Sequence, residues 1–450
     1  MKEDKYVAAV EISSSKIIAV VGKSRPGGQL DIIAAEQEKG GDSVRYGMIQ
    51  NIDETSMRLN RVLDRLQRKP AVAPRHISGL FVGLSGRSFR SIMTRVSLSL
   101  PDETEISTEI LERLNAQARA TAIDSSLEII DAVPRSYKVG MNETPTPKGE
   151  VGNKITADYD LVVCRPEIKR NLVRTIEEKS KVKIKGMVVT PLAAGSLILT
   201  AEQKRLGCML VDMGAETTTV TIYKDGHLVY YATLPLGGRN ITRDLTSLNG
   251  VLEERAEEIK ITSGHALPRD TVSNLNYHGV RDSDVSALIV ARSEEIVVNI
   301  IKQISYADLK DTDLSAGIIC IGGGAHLNGI IDLLANKSYL PVTRGALPSY
   351  VRVEDLKVKS ADIIEVASVL YAGAMADPEA VCLESPSANP LPVTGEANPQ
   401  ASSDVANGET NGDDTPKPSK PKTPSIFTKL GKGISGFFAG NDDDDDDVFD

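Results

Sequence analysis

The stretch that decides the fold is residues 208–226, CMLVDMGAETTTVTIYKDG. An apolar run ends at Asp212, and a turn at Gly214, a row of threonines and a second β-type run follow. This order predicts a strand, a tight turn and a returning strand, in which Gly214 can adopt a positive φ at no cost. The turn N–H groups and the hydroxyl of Thr217 suit an anion such as phosphate, and Asp212 is placed to hold Mg²⁺ through water. Taken alone, the stretch is equally consistent with an ordinary hairpin.

A second copy of this pattern lies near the start of the chain, at residues 7–22, VAAVEISSSKIIAVVG. Aligning Glu11 with Asp212 places Ser13 on Gly214 and lines up the apolar runs on both sides. Such a duplication predicts two related halves that hold one phosphate chain from opposite sides.

A third element follows an apolar run at residues 317–321. It is the sequence Gly322-Gly323-Gly324-Ala325, and a helical pattern of apolar residues comes after it. Three glycines between a strand and a helix let a phosphate or a flat ligand lie against bare backbone. A lone triplet of glycines is as often a plain strand-to-helix turn, but the three loops in this order are much more specific.

These motifs together resemble the actin, Hsp70 and sugar-kinase ATPase superfamily and, within it, the FtsA family of bacterial cell-division proteins. The resemblance covers roughly residues 5–375. It is carried by VEISSSKIIAVVG at 10–22, VRYGMIQN at 44–51, PRSYKVGMNETPTPKGEVG at 134–152, TPLAAGSLIL at 190–199, LVDMGAETTTVTIY at 210–223, LPLGGRNITRDL at 234–245, ERAEEIKITSGHA at 254–266 and ICIGGGAHLNGI at 319–330. It implies an actin-like two-domain α/β fold with a duplicated core.

The resemblance also implies ATP and Mg²⁺ as ligands. The residues expected to bind the nucleotide are Ser13, Ser14, Ser15, Lys16, Gly214, Ala215, Glu216, Thr217, Gly237, Gly238, Glu257, Lys260, Gly322, Gly323, Gly324 and Ala325. Glu11 and Asp212 are expected to hold the metal, through water. For Glu257 and Lys260 a solvated helix face remains an alternative.

The chain departs from the superfamily pattern around the first turn. Glu11 stands where aspartate is usual, and Ser13 stands where glycine is common, although its hydroxyl can still donate to phosphate. Thr190 and Pro191 predict a helix start, with Thr190 as the cap. In relatives a carboxylate or amide near this helix aligns the attacking water, and residues 190–196 contain none. The catalytic residues are therefore unassigned, and the site is expected to hold ATP with slow hydrolysis at most.

The hydrophobic periodicity and the positions of Gly- and Pro-rich turns divide the chain into segments. These are the first part of domain I at 1–86, an inserted α+β subdomain at 87–165, the second part of domain I at 166–200, domain II at 201–375 with an upper subdomain at about 240–290, a disordered linker at 376–424, an amphipathic helix at 425–440 and an acidic tail at 441–450. By resemblance, the insertion serves self-association and contacts with later division proteins, and the upper subdomain receives the C-terminal tail of FtsZ. The plain alternative for the insertion is a surface module without an interaction role.

Composition restricts the partners and the compartment. The chain has 450 residues and is too long for one small core, and its hydrophobic content of 41% is typical of a globular protein. Tryptophan is absent, aromatic residues make up 4% and no basic stripe is visible, so nucleic acid is not expected as a partner. Cys164, Cys208 and Cys320 lie in apolar runs and Cys382 in the predicted linker, with no metal-ligand spacing, which indicates a reducing compartment. The chain shows no signal peptide or spanning segment, so the body is expected in the cytoplasm.

The C-terminal part changes character twice. Residues 376–424 are rich in Pro, Ser, Asn, Thr, Gly and acids and cannot bury a core. Residues 425–440, SIFTKLGKGISGFFAG, then place six large apolar groups within an arc of roughly 120° at about 100° per residue, with the lysines on the other side. This pattern is typical of a helix in a membrane interface, and a helix that docks in a protein groove is the alternative. The residues expected at the membrane are Ile426, Phe427, Lys429, Leu430, Lys432, Ile434, Phe437 and Phe438.

A run of six aspartates, residues 442–447, follows this segment and contains much of the excess negative charge; the net charge of the chain is −10. Anionic lipid repels such a run, which predicts that it keeps anchoring reversible. A solubilising tail is the alternative.

Together with the amphipathic segment, the resemblance therefore implies a protein that polymerises on the cytoplasmic face of the cell membrane at the division site, anchors FtsZ filaments there and helps to recruit later division proteins. A pilus-assembly ATPase of similar fold is the main rival and differs in its partners. A sugar-kinase-like phosphotransferase would need a catalytic base in the cleft, and none is assigned. An Hsp70-type chaperone would need a folded domain after residue 375, where residues 376–424 cannot bury a core.

Overall fold

A computed structural model describes residues 5–269, 276–277, 280–354, 358–377 and 379–385. Its strands are β1 Lys5–Ile12, β2 Lys16–Ser24, β3 Leu30–Lys39, β4 Val44–Arg45, β5 Met48–Ile49, β6 His76–Ile77, β7 Gly79–Leu84, β8 Arg90–Glu105, β9 Glu128–Val139, β10 Asn142–Thr144, β11 Val151–Cys164, β12 Lys183–Val189, β13 Cys208–Met213, β14 Thr218–Lys224, β15 His227–Leu234, β16 Asn276–Tyr277, β17 Val280–Arg281, β18 Ile318–Ile321, β19 Val342–Arg344, β20 Val351–Val353 and β21 Leu383–Glu384. Its α-helices are α1 Ile52–Gln67, α2 Thr108–Arg119, α3 Pro166–Val173, α4 Thr190–Ile198, α5 Ala201–Leu206, α6 Gly238–Asn249, α7 Glu253–Ser263, α8 Asp282–Tyr306, α9 Ile330–Ser338 and α10 Ile364–Ala376. Most of the predicted linker, the amphipathic segment 425–440 and the acidic tail lie outside the described residues.

Two large sheets repeat one topology. The first has the order β12-β7-β1-β2-β3-β20, and the second contains the run β19-β18-β13-β14-β15. In each, an antiparallel three-stranded meander receives two parallel strands on the side of its first strand. The apolar runs of the central strands are buried almost throughout, as expected for strands covered on both faces. The duplicated core inferred from the two hairpins is thus present.

Two apolar helices, α4 and α10, pack between the sheets. Both are rich in Ala, Gly and other small or aliphatic residues and are buried along most of their length. Small residues let helix and sheet approach closely: a Cβ on Gly373 of α10 would lie 2.4 Å from Cγ of Phe81 in β7. The core around these helices includes residues of both sheets, such as Val10 from the first and Leu210 from the second. The carboxyl ends of β1 and β13 therefore lie on opposite sides of one cleft.

The inserted segment has its own core, formed by α2 against β8, β9 and β11. Its helix α2 is capped by Ser107, whose hydroxyl accepts the N–H of Ile110 at 3.4 Å. The segment was expected as a part of the first half. Although it interrupts the first half along the chain, β8 pairs with β15 at Arg90 and Ala232 and so continues the second sheet.

The predicted linker begins too early. Residue 376 ends α10, but Leu383 pairs with Ile77 through β21 and β6, and the N–H of Cys382 donates to the Tyr6 carbonyl at 3.0 Å. Cys382 is buried in the body, like the other three cysteines, because a few apolar residues suffice to cover this sheet edge. Within the described ranges no helix is both long and apolar enough to cross a membrane.

Candidate functional site

The cleft between the sheets contains a cavity of about 330 Å³. Both hairpin turns, the glycine loop after β18, the Gly237-Gly238 pair and α7 line it. All residues proposed from the sequence to bind nucleotide or metal lie on its wall except Ala325. Ala325 is buried beneath the loop, and its carbonyl accepts Nε of Arg344 at 3.1 Å. The volume lies in the range of small-molecule and cofactor pockets.

The first turn is held by its own hydroxyls and by a neighbouring loop. The Ser13 hydroxyl donates to the Lys16 carbonyl at 2.9 Å, and the Ser14 hydroxyl accepts the N–H of Gly47 at 3.1 Å. Ser15 is exposed. The ammonium of Lys16 donates to the carbonyl of Asp362 at 2.6 Å, just before α10. This lysine carries the positive charge that the first half contributes to the cavity floor.

The second turn needs glycine for a different reason from the one predicted. Gly214 does not have a positive φ. Its N–H donates to the Thr217 carbonyl at 2.8 Å, and a Cβ on Gly214 would lie 2.8 Å from that same oxygen. Space inside the turn therefore selects glycine here. The positive φ occurs at Gly322 instead, at 84°, where a Cβ would lie 2.5 Å from Oδ1 of Asp212.

Glu216 lines the cavity, but its carboxylate is held by donors of the protein. The side chain is fully buried and accepts Nε of Arg45 at 2.8 Å, the N–H of Tyr46 at 2.6 Å and a guanidinium nitrogen of Arg243. Burial acts to raise the pKa of this carboxyl, but the Tyr46 N–H and the arginines outweigh it and lower the pKa. A carboxylate neutralised in this way fixes the turn and is poorly suited to bind phosphate itself.

Three carboxyl groups converge on the cavity floor: Glu11 from β1, Asp212 from β13 and Glu365 from α10. Burial, followed by repulsion from Glu365, raises the pKa of Glu11 and of Asp212 to about 8, against the opposing pull of Lys16. Burial likewise raises the pKa of Glu365. Among the described residues no three His, Cys, Asp or Glu side chains are close enough together to hold a metal directly. Carboxylates that line one cavity without forming a direct metal cluster are compatible with a divalent cation held through water, and the assignment of Mg²⁺ to Glu11 and Asp212 stays a prediction.

Glu365 was not found from the sequence. It is an acid near the start of a helix, α10, whose other residues are almost all apolar. An isolated acid in a buried apolar helix could have drawn attention to this position.

The α7 residues at the cavity wall are tied to α6. The ammonium of Lys260 donates to the Gly238 carbonyl and the Thr242 hydroxyl, both at 3.0 Å, and to Glu257 at 2.7 Å. The side chain of Lys260 is 13% exposed, so a solvated face does not describe it, whereas Glu257 is 42% exposed. The sequence did not identify the apolar wall beside them, which comprises Ile241, Ile261, Ile296, Leu327 and Ile330.

The start of α4 differs from the prediction in one detail. Thr190 is the first helical residue, and the capping position is Val189, which makes no side-chain cap. The Thr190 hydroxyl is buried and has no hydrogen-bond partner among the described residues. Val189 takes the capping position because β12 runs directly into the helix, so the terminus is fixed by packing.

Comparison with known proteins identifies the family. The family described as "Cell division protein FtsA" matches residues 209–375, and that described as "SHS2 domain inserted in FTSA" matches residues 86–163. The cell division protein FtsA of Porphyromonas gingivalis is 31% identical over 332 residues, which cover 71% of this chain and 68% of the relative. The chain belongs to the FtsA family.

FtsA of Bacillus subtilis is 27% identical over 367 residues, 79% of this chain and 81% of the relative. Among solved structures, a PilM-PilN type IV pilus biogenesis complex is similar with a TM-score of 0.57 and 14% identity, and the match covers 82% of this chain and 96% of that one. At this identity the likeness shows the fold alone. The actin-like fold class and the membership in the FtsA family predicted from the sequence are confirmed, and the chain is an actin-like protein of cell division.

Proposed function

We propose that this FtsA-family protein binds ATP with Mg²⁺ between its halves, polymerises on the cytoplasmic face of the cell membrane at the division site, and anchors FtsZ filaments there. One observation carries the nucleotide part of the proposal. Three loops, two of them duplicates of each other, line a single cavity between the two sheets. A ligand in this cavity touches both halves, so its binding favours the closed shape that assembles into polymers.

Each part of the cavity has a role in this proposal. The turn N–H groups, Lys16 and the glycine loop bind the phosphates, because they present donors and bare backbone. Mg²⁺, held through water by Glu11 and Asp212, offsets the charge of phosphates and acids together. The apolar wall beside Lys260 takes the base. Since no group in residues 190–196 is suited to align a water, turnover is slow at most.

Gly323→Val tests nucleotide binding directly. A Cβ on Gly323 would meet no atom within 4 Å, and the residue lines the cavity, so the valine side chain projects into ligand space without disturbing the fold. We expect Mg·ATP affinity, measured by calorimetry, to fall at least about tenfold while the midpoint of thermal unfolding stays unchanged. Gly323→Ala should give a smaller loss of affinity. Normal binding by the valine variant would show that this loop does not contact the nucleotide.

Membrane anchoring is assigned to residues 425–440 and is tested by co-sedimentation with liposomes in the presence of ATP. We expect the full chain to pellet and a chain ending at Pro424 to stay in solution. If neither pellets, or both do, this segment is no membrane anchor, and a pilus-type partner or an enzymatic role gains support.

Contact with FtsZ is assigned to the upper subdomain at about 240–290, and contact with later division proteins to the insertion at 87–165. A peptide with the C-terminal sequence of FtsZ should bind the full chain, and charge substitutions on α7, at positions other than Glu257 and Lys260, should weaken it while leaving liposome binding intact.

A further inference from the structure

One edge of the first sheet lies opposite the cavity. Because β1, β7 and β12 run parallel and β1 ends at Glu11 in the cleft, their first residues lie at the other end of the sheet. The pairings Tyr6 with Lys23 and Lys183 with Gly79 place the end of β2 and the start of β12 in the same row. We call this row, with residues 75–79 between its strands, the far edge.

The chain leaves the described body at the far edge. Glu384 pairs with His76, and the Cys382 carbonyl accepts the N–H of Ser78 at 2.9 Å. Residue 385 is the last one described. The part of the chain that leads to the amphipathic segment 425–440 therefore begins at the far edge, at the end of the first sheet opposite the cleft.

The far edge is rich in basic groups. The guanidinium of Arg75 lies 4.1 Å from the centre of the Tyr6 ring, and the ammonium of Lys23 lies 5.5 Å from it. Lys181 lies just before β12, and Lys183 and Lys185 are at its start. None of these three lysines has a carboxylate partner within the described part of the chain.

Three acids at this edge face basic groups. Glu379 pairs with Lys5 at 2.6 Å, and Glu384 lies 3.7 Å from the ring of His76. At the end of β2, Asp31 pairs with Arg25.

Two further carboxylates lie near this edge, Glu177, which accepts the N–H of Ile184 at 3.0 Å, and Asp377, close to Cys382. The basic groups Lys181, Lys183, Lys185 and Arg75 outnumber these two acids, so the remaining charge at the far edge is positive in sum.

We propose that the far edge is a second membrane contact, which meets the headgroups of anionic lipids while residues 425–440 lie in the same membrane. The inference rests on the proposed anchoring and adds an orientation to it: the first sheet faces the lipid through Lys181, Lys183, Lys185 and Arg75, and the cleft faces away.

Two arguments favour lipid as the occupant. A short membrane-seeking segment binds only marginally, and stable attachment takes a second signal such as a basic patch. Basic groups close to an anionic leaflet are attracted to it, and the tether brings these particular groups there. The six aspartates beside the segment oppose its own attraction to lipid, so a basic contact on the body supplies what the segment lacks.

The test compares two double variants of the full chain on two kinds of vesicle. Lys181→Gln with Lys183→Gln removes two charges from the far edge. Lys302→Gln with Lys310→Gln removes two exposed lysines of the second half, which likewise have no carboxylate partner among the described residues. On vesicles of phosphatidylglycerol and phosphatidylcholine, we expect the far-edge variant to bind about fivefold more weakly for each charge removed, and the control to bind like the unchanged chain.

On phosphatidylcholine alone, all three proteins should bind equally. Equal binding of both variants on the anionic vesicles would overturn the inference while leaving the anchor in place, whereas failure of the unchanged chain to bind would reject the anchor itself. If the far-edge effect vanishes in a chain ending at Asn441, the acidic tail occupies the edge and the lipid assignment is wrong. Thermal unfolding checks that the variants fold, and Lys183→Gln alone provides a milder form.

Discussion

The two phosphate turns, residues 11–16 and 212–217, have the same strand-turn-strand form and are held in place in different ways. The first is fixed within its own half: the Ser14 hydroxyl accepts a neighbouring N–H, and Ser15 stays exposed. The second is fixed across the cleft, because Glu216, the counterpart of Ser15, is buried against Arg45 of the first half. A duplicated hairpin has kept its path while the groups that support it have diverged.

A single segment supports both turns. In residues 45–47, Arg45 and the Tyr46 N–H bind Glu216, and the Gly47 N–H binds Ser14. A Cβ on Gly47 would lie 2.6 Å from Cα of Gly86, so this segment is also pressed against the turn after β7. Displacing one turn must therefore disturb the other. Substitutions in the two turns measure how much stability each one gains from its supporting contacts.

The largest effect is expected from Glu216→Ala. Removing this carboxylate leaves the arginines around it without their buried partner, and breaking a buried pair costs about 3–5 kcal/mol. The free energy of unfolding from urea denaturation should fall by about that amount, and Mg·ATP should dissociate faster because the halves lose a connection.

Ser15→Ala is the matched control at the corresponding position of the first turn. Its side chain is exposed, so stability should change by no more than about 0.5 kcal/mol. If both variants lost a similar amount of unfolding free energy, the two turns would be supported alike, and the difference between them would be refuted.

Exchanging the turn residues should give the next largest effect. Gly214→Ser places a Cβ 2.8 Å from the Thr217 carbonyl, so the turn must shift, and overpacking of this kind costs about 1–3 kcal/mol. The reverse exchange, Ser13→Gly, loses the hydrogen bond to the Lys16 carbonyl and the longer ones to the Lys16 N–H and the Ser15 hydroxyl, at 3.3 and 3.4 Å, for a cost of about 1 kcal/mol. Urea midpoints of the two variants measure the difference, and equal midpoints would show that the second turn can relax around a side chain.

The floor acids, one from each turn, make the two halves alike in their response to pH. The pKa values of Glu11 and Asp212 are raised to about 8 from ordinary values of 4.5 and 3.8, so the folded protein binds protons that the unfolded chain has released. Without nucleotide and metal, the stability that these two acids contribute should be fully present below their ordinary pKa values and be lost as pH rises towards about 8, by at most about 1.4 kcal/mol per pH unit for each proton.

Urea titrations between about pH 6 and pH 8 test this dependence. Glu11→Gln should flatten it, and added Mg·ATP should do the same, because cation binding favours the charged acids. A stability that increases over this range would show that the acids are ionised in the free protein.

The parts of this site that the sequence predicted are local ones. A strand that ends in an acid and the turn that follows it are formed by consecutive residues. Both hairpins and the glycine loop could therefore be located from the sequence. The partners of these loops could not, since Arg45 and Glu216 are 171 positions apart and Glu365 reaches the floor from a helix with no motif. A single sequence also does not show which distant strands pair with each other. The pairing of the insertion with β15 and the burial of Cys382 were therefore found only in the structure.

Among the substitutions that test the coupling of the two turns, a small effect is expected from Ser14→Ala, which makes the first turn resemble the second, where Ala215 stands at this position. Ser14 is 7% exposed, and its hydroxyl accepts the Gly47 N–H, so the variant leaves that donor unsatisfied at a cost of about 1 kcal/mol. Because the same segment carries Arg45, part of the loss should disappear when Glu216 has already been replaced. A double-mutant cycle on stability measures this coupling. A coupling energy near zero would show that residues 45–47 support the two turns independently.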